Sequence, residues 1–199
     1  MDQSMNLLQY YPNIEEATQR YPSINETYQT LLSICNGAKR LSGRLVIEHC
    51  VGTADRIARY FPDNPININA ALLHDVIEDY KLSFEEVKAI SGLGTMGDTT
   101  ARIVTILSKP SNIHDKRIRD QIYMRQLSKG IIEMKQNGKG IAMIKLCDRL
   151  DNLSDATSLP SDRLFFIIWQ SLLFYVPHAI KLNLPALSNR ILSAAMQHL

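Results

Sequence analysis

Apolar residues recur at helical spacing along nearly the whole chain, and the strict alternation of a half-buried strand is scarce. The pattern predicts helices over residues 24–36, 46–60, 68–79, 84–90, 99–107, 115–136, 141–156, 161–182 and 185–198. Some have a physical start or stop. Ser83 and Glu86 fit a capping box, in which each satisfies an orphan amide near the other. Pro110, Ser111 and Asn112 mark a loop, and Asn137, Gly138 and Gly140 interrupt the pattern between two helices. The stretch Ser91–Thr100, rich in glycine, is the most irregular internal segment. With no repeat and no separating linker, the reading is one all-α domain over residues 1–199. Its residues up to about 20 are expected to be peripheral and its C-terminal helices to pack on the core. The longest apolar run, Leu164–Val176, contains Gln170 and Ser171 and falls short of the ~20 apolar residues of a membrane helix. It reads as a buried core helix, and no membrane partner is expected.

Composition narrows the class further. An apolar fraction of 45% with 21% charged residues is that of an average globular protein and excludes collagen-like, disordered and coiled-coil chains. A net charge of +2 is too small for a nucleic-acid platform, so any anionic ligand must be recognised locally. The opening MDQSMNLLQYYP lacks the basic start and apolar stretch of a secretory signal, which points to the cytoplasm. Cys35, Cys50 and Cys147 are odd in number and lack close-pair spacing, so they read as small core residues.

The segment AALLHDVIEDY carries candidate chemistry, since it sets His74, Asp75, Glu78 and Asp79 on one otherwise apolar helix. Burying such groups costs on the order of several kcal/mol unless a cation or hydrogen bonds compensate them. At i, i+4 spacing His74 lies beside Glu78 and Asp75 beside Asp79. His49 sits in the apolar-rich helix upstream, and IKLCDRLDNL places Asp148 among apolar neighbours, i, i+4 to Asn152. Imidazoles and carboxylates from three helices make a mixed N/O set that suits manganese, iron or zinc better than calcium or magnesium. On an octahedral ion such a set leaves positions for water and a phosphoryl oxygen.

In the chain order H…HD…D these residues resemble the HD phosphohydrolase superfamily, a helical bundle around a single metal site. More narrowly, IEHCVGTADRIA, AALLHDVIEDY with the following SFEEV, LSKP and IKLCDRLDNL are similar to the hydrolase domain of RelA/SpoT homologues, the enzymes of (p)ppGpp metabolism. The likeness runs from Gly37 to Ala156, and FYVPHAIKLNL looks like the helix that follows in that family. No synthetase domain fits in the remaining residues, so the chain resembles a stand-alone small alarmone hydrolase.

The resemblance implies that His49, His74, Asp75 and Asp148 bind one manganese ion and that Glu78 and Asp79 handle the nucleophilic water. One of those acids would accept the water's proton, since adjacent carboxylates separate their pKa values. The implied reaction removes the 3′-pyrophosphate of ppGpp or pppGpp, giving GDP or GTP and pyrophosphate. Arg40, before the SG pair that contains Ser42, would stack on or pin the guanine, and Asn152 would position the nucleotide. Lys109 and Lys145 match basic positions near the cleft, and Tyr123 lies on a helix that also carries Arg117, Arg119 and Arg125, some of which face the substrate.

The chain also departs from the family. Where the family reads like GQxRKSGxPYIxH, this sequence has GAKRLSGRLVIEH, with Leu41 for lysine, Leu45 for proline and Val46 for tyrosine. Arg44 would supply a replacement cation, and Asp151 replaces the histidine common in long homologues. The altered loop leaves open a different nucleotide substrate, such as NADPH or a deoxynucleotide. A third reading, a non-catalytic nucleotide binder or a protein that neutralises a cognate synthetase, has no lost ligand or acid to support it. The oligomeric state is left open by the sequence.

Overall fold

The computed structural model describes residues 7–199, and among them it contains helices and no strand, only an isolated bridge between Lys39 and Leu45. Residues 1–6, part of the stretch read for a signal and of the peripheral segment, lie outside the described residues. Helix α1, Pro12–Arg20, opens on a proline, whose missing amide is no loss in a first turn. The next amides find a tertiary cap, because Asp55 Oδ1 accepts from Asn13 N at 2.8 Å and from Ile14 N at 3.1 Å. Those bonds and the buried Ile14 and Ala17 dock α1 on α3, Val46–Tyr60, so this part of the N-terminal segment joins the core instead of lying at the periphery.

Between them α2, Pro22–Cys35, stops where Asn36 turns left-handed, a conformation asparagine tolerates. Helix α4, Pro65–Leu72, starts at Asn64, whose side chain accepts from Asn67 N, and is followed by the short α5, Val76–Tyr80. The expected capping box of Ser83 and Glu86 opens α6, Phe84–Ile90. Helix α7, Gly94–Leu107, occupies much of the stretch expected to be irregular. Its Gly97 leaves no room for a Cβ beside the carbonyls of Lys88 and Gly92, so this glycine serves close packing, not a break.

Helix α8, Lys116–Glu133, is capped by Asp115, and α9, Gly138–Ser154, starts earlier than the pattern suggested. Gly140 lies inside α9, where a Cβ would collide with the Asn67 side chain of α4. Helices α3, α4 and α9 pack on one another, and α9 sends Ile141, Met143, Ile144, Leu146, Cys147 and Leu153 into the core. All three cysteines are buried and free. Because α9 approaches α4 so closely, Gly140→Ala is expected to destabilise the fold by about 1–3 kcal/mol. The check is a lower denaturant midpoint at unchanged slope.

The C-terminal part corrects a further expectation. Helix α10, Ser161–Gln170, a π-helical turn, Ser171–Tyr175, and α11, Val176–Lys181, form one continuous stretch, followed by α12, Pro185–Met196. It buries Ile168, Ser171, Tyr175 and Ala179 but leaves Phe165, Trp169, Leu173 and Ile180 exposed, so it is not a buried core helix. A helix apolar on every side can turn only one of them to the bundle. By length and composition alone, Ser161–Lys181 is also long and apolar enough to cross a membrane, but its inner side packs on α9 and α12.

Candidate metal centre

The chain leaves helical geometry at Leu73–Asp75, so the helix expected over 68–79 is broken at the His74–Asp75 pair itself. The cause is local. His74 Nδ1 donates to Ala71 O at 2.8 Å, capping a terminal carbonyl of α4 with a side chain where the ladder would otherwise continue. The i, i+4 pairing of one helix therefore does not organise the site. The turn instead leaves His74 fully buried while Asp75 reaches the floor of a cleft.

A carbonyl oxygen only accepts, so the His74 proton sits on Nδ1 and its Nε2 keeps a free lone pair. His49, fully buried on α3, is set in the same way, with Nδ1 2.6 Å from Asp151 Oδ2 and Nε2 turned toward His74. The two Nε2 atoms are 3.1 Å apart. Asp75 Oδ2 lies 3.2 Å from His74 Nε2 and 3.4 Å from His49 Nε2, and Asp148 Oδ1 lies 3.7 and 3.4 Å from the same atoms. Adjacent ligands at bond lengths of ~2.0–2.2 Å stand about 3 Å apart around an octahedral ion. Two lone-pair nitrogens facing each other among carboxylate oxygens at that spacing fit a divalent cation.

The electrostatics agree. Burial works against charge on His74, yet Asp75 and Asp148 raise its pKa to about 9 in the metal-free site, so Nε2 holds a proton there until a cation displaces it, and the cluster attracts positive charge. Burial would likewise raise Asp148, but Lys145, 2.9 Å away, and the two histidines hold it well below the usual carboxylate range. Asn152 Nδ2 donates to Asp148 Oδ1 at 2.6 Å, and Arg40 in turn donates to Asn152 Oδ1 at 2.5 Å and pairs with Asp155 at 2.9 Å. Glu78 accepts the Lys109 backbone amide at 2.8 Å. Asp79 accepts from no donor among the described residues, and burial together with the charges of Asp75 and Glu78 pushes its pKa up.

These groups line a cleft of about 490 Å³ whose floor carries Asp75, Glu78, Asp79 and Asp148 and whose walls carry Arg40, Lys109, Lys145, Arg149 and Arg163. The family model described as an HD domain matches residues 28–183, a span that includes all four ligand candidates. The chain belongs to the HD-domain family. This HD domain is 32% identical over 161 residues to a guanosine-3′,5′-bis(diphosphate) 3′-pyrophosphohydrolase of Haemophilus influenzae, covering 81% of the chain and 23% of that relative. It is 26% identical over 193 residues to one of Aquifex aeolicus, covering 97% of the chain and 25% of the relative. The chain thus spans about a quarter of the length of these relatives. Its fold is that of a solved metazoan ortholog of SpoT that hydrolyzes ppGpp, with a TM-score of 0.56 at 16% identity over 88% of this chain and 86% of the other.

Of the residues singled out from sequence, Glu78, Asp79, Arg40, Ser42, Lys109, Tyr123, Lys145 and Asn152 lie on the same cleft as Asp75 and Asp148, with His49 and His74 beneath. Tyr123 is nearly buried and its hydroxyl donates to Leu107 O at 2.9 Å. Its ring, within 6 Å of the Lys109 and Lys145 ammonium groups, holds cations at the cleft instead of offering a free hydroxyl.

Arg44 is not on this cleft, which corrects its reading as a replacement cation for the nucleotide. It faces the other side of His49, bonding both Asp151 oxygens at 2.8 and 3.3 Å, and Arg56 adds a bond to Asp151 Oδ1 at 3.0 Å. Sequence reasoning missed Asp151 and Arg56 as support for the site, together with Arg149 and Arg163 on the cleft wall. The signal for Asp151 was its place one turn beyond Asp148 on the same helix.

Proposed function

We propose that this HD domain is a manganese-dependent hydrolase of the 3′-pyrophosphate of ppGpp and pppGpp, acting in the cytoplasm and releasing GDP or GTP and pyrophosphate. The observation that carries the reading is the convergence of His49, His74 and Asp148, with Asp75 Oδ2 beside both histidines, beneath a cleft with acids on its floor and cations on its walls. The names of its relatives and the activity of its structural neighbour support the substrate.

Those four residues would hold the ion, which when bound supplies Lewis acidity toward a phosphoryl oxygen and acidifies water. The chain's own groups do the rest. Asp79, its carboxylate free in the cleft, takes the proton of the water that attacks the phosphorus next to the 3′ oxygen. That phosphorus–oxygen bond breaks, the 3′ oxygen stays with the nucleoside and takes a proton from solvent, to which Asp79 returns the one it accepted, and pyrophosphate departs. Lys109 and Lys145 bring positive charge toward the phosphates from beside the Tyr123 ring. Arg40, pinned by Asn152 and Asp155, presents its planar face to the guanine. Arg40→Ala is therefore expected to raise KM roughly 3- to 30-fold with a smaller effect on kcat, checked by steady-state kinetics.

One observation favours a second substrate. Leu41 and Val46 line the cleft where the related family carries lysine and tyrosine, which leaves room for another nucleotide such as NADPH or a deoxynucleotide. The deciding experiment incubates the purified chain with a nucleotide panel, with and without manganese, and measures phosphate and pyrophosphate separately. Manganese-dependent pyrophosphate release from ppGpp is expected. Preference for a monophosphate ester would sink the alarmone reading, and ligand binding without any turnover would leave a binding protein.

A further inference from the structure

The stretch Ser161–Lys181 has an outer face that the fold leaves uncovered. Phe165, Trp169 and Leu173 follow one another at four-residue intervals, and Pro177 and Ile180 continue the line. Phe165, Trp169, Leu173 and Ile180 are 62, 56, 59 and 63% exposed. The opposite side is fixed in the bundle through Ile168, Ser171, Tyr175 and Ala179, so the helix cannot rotate to hide the stripe. Between Arg163 and Lys181 there is no Lys, Arg, Asp or Glu, and the stripe ends in exposed opposite charges, Asp162 and Lys181.

We propose that a second copy of this chain covers this face, with the two Ser161–Lys181 stretches antiparallel about a two-fold axis that crosses the outer face between Trp169 and Leu173, level with position 171. A two-fold interface requires that where one residue meets another, the reciprocal contact also forms. Residues 169 and 173, and 165 and 177, are equidistant from 171, and 162 and 181 are so to within one position. Trp169 then faces Leu173, Phe165 faces Pro177, and Asp162 faces Lys181. A parallel pair would instead set Asp162 on Asp162 and Lys181 on Lys181, and would align the helix dipoles unfavourably.

The area is adequate for a moderate dimer. The four exposed side chains leave roughly 450 Å² per chain and about 900 Å² per pair, and flanking contacts bring this near the ~1,000 Å² lower bound of a specific interface. Aromatic content and absence of charge are what an interface core shows. A bilayer fits less well, because interfacial helices carry a basic polar face, whereas the far side here is packed on protein and one end is acidic. The same helix lends Arg163 and Ile167 to the cleft wall, so the contact lies next to the catalytic site proposed above without depending on that reading.

Trp169 is the single tryptophan of the chain and reports the contact directly. Sedimentation equilibrium of the full chain from about 1 to about 100 μM should give a monomer–dimer equilibrium, with Trp169 emission shifting to the blue as dimer forms. Trp169→Leu should keep the dimer, whereas Phe165→Glu should remain monomeric while its circular dichroism stays that of the parent. For the register, Asp162→Lys and Lys181→Asp should each weaken association at least fivefold, and the double exchange should restore it. A monomer mass at the highest concentration, a dimer indifferent to Phe165→Glu, or a double exchange that fails to restore association would each overturn the proposal. So would binding of a persistently monomeric chain to phosphatidylglycerol vesicles, which would assign the face to a membrane.

Discussion

Asp79→Asn is expected to lower kcat for ppGpp by about 10²–10⁴-fold while metal content and unfolding midpoint stay at the parent's values. The substitution keeps shape and removes only the capacity to take a proton. Asp79 accepts from no donor among the described residues, so no fold-supporting bond is lost. Its pKa is raised by burial and by the charges of Asp75 and Glu78, which brings its basicity closer to neutral pH, where a general base works best. In the metal-free chain Asp79 should accordingly titrate above the ~3.9 of an ordinary aspartate. Glu78 differs in kind. Its Oε1 is engaged by the Lys109 amide, and a glutamine can still accept there, so Glu78→Gln should lose less turnover than Asp79→Asn. Single-turnover kinetics with separate metal analysis decides the matter, and a near-normal Asp79→Asn beside an inactive Glu78→Gln would exchange the two roles.

The helical class was legible because periodicity is a one-dimensional signal, and the ligand candidates were legible because His and Asp inside apolar helices demand compensation. What escaped depended on neighbours distant in sequence or on a side chain that overrides the ladder. The apolar period runs unbroken through AALLHDVIEDY, and only the bond from His74 to Ala71 O stops the helix there. Gly97 and Gly140 look like breakers in sequence, yet each is needed where two backbones or a backbone and Asn67 come together inside the fold. Leu164–Val176 is apolar on all sides, so sequence could not say which side meets the core. Arg44 and Asp151 stand 107 positions apart, and a cation assigned to the nucleotide loop turned out to serve a carboxylate behind His49.

That carboxylate carries the second large effect. Asp151→Ala should destabilise the fold by about 2–4 kcal/mol, the low end reflecting that Arg44 and Arg56 still reach solvent. Asp151 itself is nearly inaccessible and accepts from His49, Arg44 and Arg56 together, so its removal takes the acceptor from three donors at once and leaves the buried His49 Nδ1 stranded. Asp151→Asn is gentler and more telling. The amide oxygen can still receive the His49 Nδ1 proton, but without full charge it orients the ring less firmly and makes Nε2 a poorer donor, so manganese affinity should fall about 10- to 100-fold. The acid side of the stability curve should change as well. Burial would raise the Asp151 pKa, yet the bonds from His49 and Arg44 hold it well below the usual range. A folded pKa below the unfolded one means that this stabilisation is complete above the unfolded carboxylate value near ~4 and disappears as pH falls through the folded value. The asparagine variant lacks this dependence, so its unfolding midpoint should decline less steeply with acid than the parent's. Calorimetric manganese titration and unfolding measured across pH separate the two effects, and unchanged metal affinity in Asp151→Asn would show that His49 needs no carboxylate to hold it in place.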